Sequence, residues 1–500
     1  MALTRLQQLC LRQESSEGVY TDPFAATYAK YLAVDPQMTF EVETYQRDIA
    51  RASFTPLAPL AGAVLGQCSF SLEAASTGAA ITGVPNFDIP LRACNFRREL
   101  AHRLTIGAIG GSGTFLHGET VSQASSGATG IVIGNTVNGE TYLYISQANG
   151  LGTATFNATN LITGVTSGAT ATPTAYNADY AFGYWPISQP LHNMTFASAV
   201  TSGSIVAGDT IRGVTSGAIA IAAVDATTAL GTTQTLHVRR VLGTFQANES
   251  VTLNGAAFGT ALINNAAQAF SSVDSAAPLA TKIPVAPSIS IGLCKDGVRE
   301  SMFNCRGNVT ISGNIGEPLI FAFTFSGIKN AVADAGNISG VTYSDRLPPV
   351  LLGATMRVGD PGISTVGAER TLCATSLSVE MGNDIQYRRC MNAATGIDGI
   401  YINGRNPTGS FDPEQQPEAD FDYMNNYFTT GNVRMQMDVG STTADKFRIK
   451  LHNMAISSVG QGDRNGIITR DVGFNLHSGS GTSVSGDNEM VIIWSPNATF

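Results

Sequence analysis

The densest set of side chains able to do chemistry is the run FDPEQQPEADFD, which gathers Asp412, Glu414, Glu418, Asp420 and Asp422. Carboxylate oxygens at such spacing are ligands for a hard cation such as Ca²⁺. The run lacks the D-x-D-x-D-G order of a calcium loop, and Pro413 and Pro417 point to an extended surface loop. A solvated loop, or one facing another protein, is the reading preferred over calcium or a catalytic carboxylate pair. Just ahead, INGRNPTGSFDPE holds Arg405 behind the turn residues Asn406-Pro407 and Thr408-Gly409, a few positions before Asp412 and Glu414. Arginine offers a planar fork to carboxylates, so these three residues suit a contact between protein surfaces. Charges solvated on a plain surface loop are the alternative.

Other catalytic signatures are missing. No G-x-S-x-G elbow, Gly-Lys of a P-loop, G-x-G-x-x-G opening a helix, or H-E-x-x-H occurs. The six histidines (His102, His117, His192, His237, His452, His477) form no H-x-H or H-x₃-H pair, and each reads as a structural or surface residue. The sequence therefore calls for no catalytic residue, cofactor or metal. Seven cysteines, an odd number without a C-x-x-C pair, argue against a disulfide framework and for buried thiols in a reducing compartment. Cys294 and Cys305 can face each other across a hairpin, but no bridge is expected there. The two tryptophans, Trp185 and Trp494, sit in segments that read as core, which leaves a glycan site without an aromatic platform.

The elements that must carry these residues follow from composition. Five hundred residues exceed one ordinary domain. Charged residues are 13%, about half the usual share, and 53 glycines stand among abundant Ser, Thr, Ala and Asn. That is the composition of short strands and turns, so the chain reads as mostly β. A net charge of −9 opposes a grip on nucleic-acid phosphates. No apolar run reaches the length of a membrane helix, and the opening MALTRLQQLCLRQES carries no signal-like apolar stretch, so neither a membrane span nor a secretory signal is expected. Leu3, Leu6 and Leu9 predict a short helix or ordered arm. Strands are predicted over 38–45, 66–74, 287–294, 308–315, 319–328, 372–381, 432–439, 446–453 and 489–495, and a helix over 420–428. Phe321, Phe323 and Phe325 alternate cleanly, as do Leu377, Val379 and Met381.

Charge density divides the chain. Residues 105–275 hold three basic and seven acidic side chains, and within them a repeat is legible. GTFLHGETVSQASSGATGIVI begins at Gly113 and GSIVAGDTIRGVTSGAIAIAA at Gly203, in the same order of Gly, acid-Thr and Ser-Gly-Ala. Two small inserted β-modules are expected, at 105–171 and 197–270. Between them, 172–196 carries Tyr176, Tyr180, Phe182, Tyr184 and Trp185 and reads as a return to the host core. The host is then 1–104, 172–196 and 271–500, a β-sandwich or barrel with one or two flanking helices.

Host segments resemble the major tail tube proteins of long-tailed bacteriophages. The likeness is carried by RQESSEGVYTDPF (12–24), FEVETYQRDIARASFTPLAPLAGAVLGQCSFSLEA (40–74) and VPNFDIPLRACNFRRE (84–99). It continues through SISIGLCKDGVRESMFNCRGNVTISGNIGEPLIFAFTFSGI (288–328), INGRNPTGSFDPE (402–414) and GDNEMVIIW (486–494). The set in this order covers about two thirds of the chain; the basic pattern lacks the two modules.

The resemblance implies a structural virion protein without catalysis, assembled in the bacterial cytoplasm. Such subunits form hexameric rings that stack into a hollow tube, through whose lumen the genome passes into the host cell. The partners implied are other copies of the chain, the tape-measure protein, the adaptor, terminator and distal tail proteins, and DNA that transits without specific binding; no membrane is among them. Arg405, Asp412 and Glu414 then become candidates for a contact between subunits. An excess of acid suits such a conduit, because a negative wall repels phosphates. The pale modules would block a lumen and are expected on the outside. A fibre, baseplate or capsid decoration protein is the alternative within a virion, and a carbohydrate-binding protein or hydrolase the alternative outside one.

Overall fold

The computed structural model describes residues 6–14, 18–47, 57–75, 84–147, 156–187, 191–195, 287–344, 347–359, 369–429, 432–440, 445–478 and 487–495. It also describes residues 49 and 55 and shorter stretches between 205 and 262. The protein is mostly β, with large antiparallel sheets and two short helices, and the described strands close no barrel.

Seven strands lie side by side in one antiparallel layer: Ala33–Tyr45, Leu60–Glu73, Ile320–Lys329, Val298–Asn314, Ala374–Glu380, Thr408–Pro413 and Ile467–Leu476. Alternation decides what this layer buries. Cys68, Phe70 and Leu72 point inward beside Phe325, Phe323 and Phe321, to which they are register partners. Phe70 lies 5.5 Å from Phe323 and 5.8 Å from Phe325, ring centre to ring centre, and Phe87 stacks on Phe321 at 4.3 Å. Val309, Ile311, Leu377 and Val379 extend the same buried side.

A second layer packs over it. Its order is Thr355–Gly359, Asn432–Val439, Lys446–Arg464, Met490–Ser495, Pro173–Pro186 and Phe96–Ile106. Lys446–Arg464 belongs to both layers. Its first half pairs with Met490–Ser495 and its second half with Ile467–Leu476, so this 19-residue strand turns the corner between them. Phe447, Ile449, Leu451, Met490, Ile492 and Trp494 close the common core. Trp185 and Trp494 are both buried, and the 173–186 segment returns to the host sheet.

At the N-terminus the expected helix is replaced by strand. Gln7–Gln13 pairs along its whole length with Ile289–Lys295, which turns Leu9 and Leu11 into the main core and Cys10 to the opposite face beside Ala29 and Cys294. Leu3 lies outside the described residues. The helix expected over 420–428 is Tyr423–Phe428, started by Asp422, whose carboxylate accepts from Asn425 N–H at 2.9 Å. A second helix, Asp88–Ala93, and a hairpin of Asn383–Arg389 with Ile397–Arg405 have no counterpart in the sequence reading.

The 105–171 stretch continues the second layer. Tyr142–Gln147 pairs with Phe96–Ile106, and Ala128–Val132, Thr120–Gln123 and Ile162–Gly164 follow in order. It keeps an apolar cluster of its own around Phe115, Val132, Leu143 and Phe156. Strands between Leu191 and Leu262 form a separate six-stranded sheet. The repeat reappears as shared geometry. Val165 N–H donates to Thr120 carbonyl at 2.9 Å, and Val214 N–H to Ser250 carbonyl at 2.9 Å. Buried Glu119 accepts from Thr166 and Ser167 N–H, as buried Glu249 does from Thr215 N–H. The carboxylate precedes its Thr-Ser-Gly turn in the first case and follows it in the second. Each stretch is thus two half-repeats that clasp each other.

Candidate functional surface

The outward side of the seven-stranded layer is the most distinctive surface of the molecule. Cross-strand register lays its residues out in rows. One row is Gln37, Ser69, Thr324 and Asn308. The next is Ser71, Ala322, Thr310, Glu380, Thr408 and Asn475, followed by Glu73, Ile320, Ser312, Ser378, Ser410 and Gly473. These rows present mostly small hydroxyl and amide groups, with Ala322, Ile320 and Gly473 among them, two acids and no lysine or arginine. Across seven strands at about 4.8 Å spacing the face is roughly 29 Å wide. A duplex or a polypeptide meeting it finds hydrogen-bonding groups but no cation to hold a phosphate.

The same layer ends on an open edge. Ala33–Tyr45 pairs with Leu60–Glu73 on one side, and among the described residues no strand takes its other side. Its far half is solvent-exposed on both faces, with Val42 at 44% and Tyr45 at 70%. A long exposed edge with apolar side chains is a template for another chain.

The three residues proposed from sequence are not brought together. Arg405 is held within its own chain: its guanidinium meets Asp487 at 2.7 Å and Glu489 more closely, and donates to Ile187 carbonyl at 3.0 Å. Burial alone would lower its pKa, but the two carboxylates raise it. Asp412 meets Arg464 at 2.8 Å and accepts from the Thr375 hydroxyl and from Ser376 and Thr375 N–H, and against the pull of burial the Thr375 and Ser376 bonds hold its carboxyl below the usual range. Glu414 accepts from Cys373 Sγ at 3.3 Å. Asp420 lies 3.7 Å from Arg370, and Asp422 caps its helix. Among the described residues no three His, Cys, Asp or Glu side chains gather as a metal set.

Sequence reasoning missed the buried charges that join distant segments. Glu140 meets Lys450 at 2.8 Å and Arg448 at 3.6 Å, while Arg448 forks onto Asp438. Burial pushes Lys450 down to about 8, partly offset by Glu140. His117 and His452, read as unrelated, lie 5.9 Å apart ring to ring, with His117 edge-on to Trp185. His117 Nδ1 accepts from Gly134 N–H, and His452 Nε2 from Asn135 N–H at 3.1 Å. A ring nitrogen that accepts carries no proton, so both imidazoles are neutral. Burial drives His117 down to about 3 and His452 well below its usual value. Glu99 is similarly shared by Arg97 and Arg212, with Ser146 bridging to both Glu99 and Arg212. The sequence signal available for these pairs was a charged residue in an otherwise apolar alternating strand, as at Arg448, Lys450 and His452.

Cys294 and Cys305 do not face each other, since their register partners are Arg299 and Ile289, and all seven cysteines are free thiols. Compared with protein-family models and with curated proteins, the sequence matches none.

Proposed function

We propose that the chain is the structural subunit of a phage tail tube, polymerising as stacked hexameric rings whose lumen carries the genome to the bacterial host. The observation that carries this reading is the seven-stranded face of mostly small polar groups, acidic where its rows are charged, ending on a strand edge that is unpaired among the described residues. A wall for DNA must offer no phosphate anchor, and a ring must supply each copy with an edge for its neighbour. Strand Ala33–Tyr45 supplies that edge, and the rows from Gln37 to Gly473 become the lumen lining. The resemblance of the host segments supports the same reading, and the arrangement places no demand on a catalytic group.

Negative-stain electron microscopy with sedimentation of the purified full chain tests the proposal. Rings or hollow tubes that grow with concentration are expected. A single monomeric species across the whole concentration range would overturn it.

A further inference from the structure

An open bowl of about 390 Å³ lies between the acidic loop and the helix Tyr423–Phe428. Glu418 and Asp422 stand on its wall with Phe428, which is 72% exposed. Arg470, also on the wall, donates to the Gln415 side-chain oxygen and is the one cation there against the two acids, so the bowl's net charge is negative. Carboxylates beside an exposed aromatic ring form a receptor for a guanidinium, which donates bidentate hydrogen bonds to the acids and stacks on the ring.

The chain carries a matching knob. Strand Ala33–Tyr45 ends on Tyr45, 70% exposed, with Arg47 two residues beyond it and Leu60 at 53% on the partner strand. No ion pair of Arg47 is found among the described residues.

Register places knob and bowl at opposite ends of the seven-stranded layer. Leu60–Glu73 runs from the knob to Glu73, which is paired with Ile320. Ile320 is paired with Ser312, Asn314 with Ser376, and Ala374 with Pro413, two residues before Gln415 at the rim of the bowl. Thirteen steps of strand separate Leu60 from Glu73, roughly 43 Å, so one molecule cannot fill its own bowl. Two unlike patches at opposite ends make a heterologous contact, which propagates along an axis and does not close on itself.

We propose that the knob of Tyr45 and Arg47 seats in the Glu418–Asp422–Phe428 bowl of a second copy and thereby joins successive copies end to end. This rests on the tube reading and names the contact between rings, as distinct from the strand edge that closes each ring. Charge complementarity selects a copy of this chain as the occupant; its polymer stacks in one direction, all knobs pointing alike.

Sedimentation of parent, Arg47→Glu, Glu418→Arg and the double exchange at matched concentrations tests it. Each single exchange is expected to raise the concentration needed for tubes about tenfold, leaving single rings and an unchanged melting temperature, and the double exchange to restore tubes. A second arm uses Arg47→Cys with Glu418→Cys, where mild oxidation is expected to give ladders of cross-linked chains. Exchanges that polymerise like the parent, or cysteines that cross-link no chains, would overturn the contact while the tube reading stands. A parent that forms neither rings nor tubes would overturn both.

Discussion

Lys450 and Glu140 meet at 2.8 Å inside the protein although 310 positions separate them. Lys450 lies on the corner strand of the core, and Glu140 on the turn that leads into Tyr142–Gln147. The pale stretch is therefore fastened to the host by buried charge as well as by continuous sheet.

Removing one partner strands the other in a dry interior, which costs about 3 to 5 kcal/mol. Glu140→Gln is expected to destabilise by that amount, read as a lowered melting temperature. Adding Lys450→Met should recover most of the loss, because no charge is then left unpaired.

Acid should loosen the same junction. His117 and His452 stay neutral when folded, while in the unfolded chain each takes a proton near its ordinary value of 6.5. The unfolded state then binds more protons, so stability falls as pH drops below about 6.5, by about 1.4 kcal/mol per unit for each histidine, until His117 titrates near 3. Lys450 and Arg434 lie close enough to oppose a second positive charge there. Denaturant unfolding at pH 7 and pH 5 should show a smaller difference in His117→Gln/His452→Gln than in the parent. Equal differences would remove the histidines from the account.

Arg405→Ala should lower the melting temperature, because Glu489 is 4% exposed and loses the cation that offsets its burial. The expected cost is about 3 to 5 kcal/mol, with Arg405→Lys retaining part of it. An unchanged melting temperature would return Arg405 to a role between copies.

Cations placed on the polar face should convert it from a passive wall to a sticky one. Ser69→Arg with Thr324→Arg puts two guanidinium groups in neighbouring register positions on the solvent side, where folding is little affected. Polymer carrying both is expected to retain duplex DNA at low salt and release it as salt rises, measured by co-sedimentation. Parent polymer should retain little.

Much of the fold was legible because alternation is a local signal. Phe321, Phe323 and Phe325 all point into the core, and Leu377, Val379 and Met381 do the same. The helix expected over 420–428 forms at Tyr423–Phe428, with Asp422 as its N-cap. The hairpin of Asn383–Arg389 and Ile397–Arg405 escaped because most of its residues are polar and half-exposed on both faces, leaving no alternation to read. Helix Asp88–Ala93 is six residues long with Pro90 inside it, too short for a period. The polar face was invisible for a different reason: Ser69, Thr324 and Asn308 become one surface only when strands from three parts of the chain pair. Arg405 was read as a candidate contact between subunits; within the chain its carboxylate partners are Asp487 and Glu489, 82 and 84 positions away rather than in the adjacent loop.

In the proposed tube the seven-stranded polar face lines the bore. A helical reconstruction of the purified polymer by electron cryomicroscopy tests it most directly. Ser69, Thr324, Ser312, Glu73 and Glu380 are expected to face the axis of a hollow tube, with Ala33–Tyr45 paired to the neighbouring copy. The same face turned outward, or buried between copies with no bore, would contradict it.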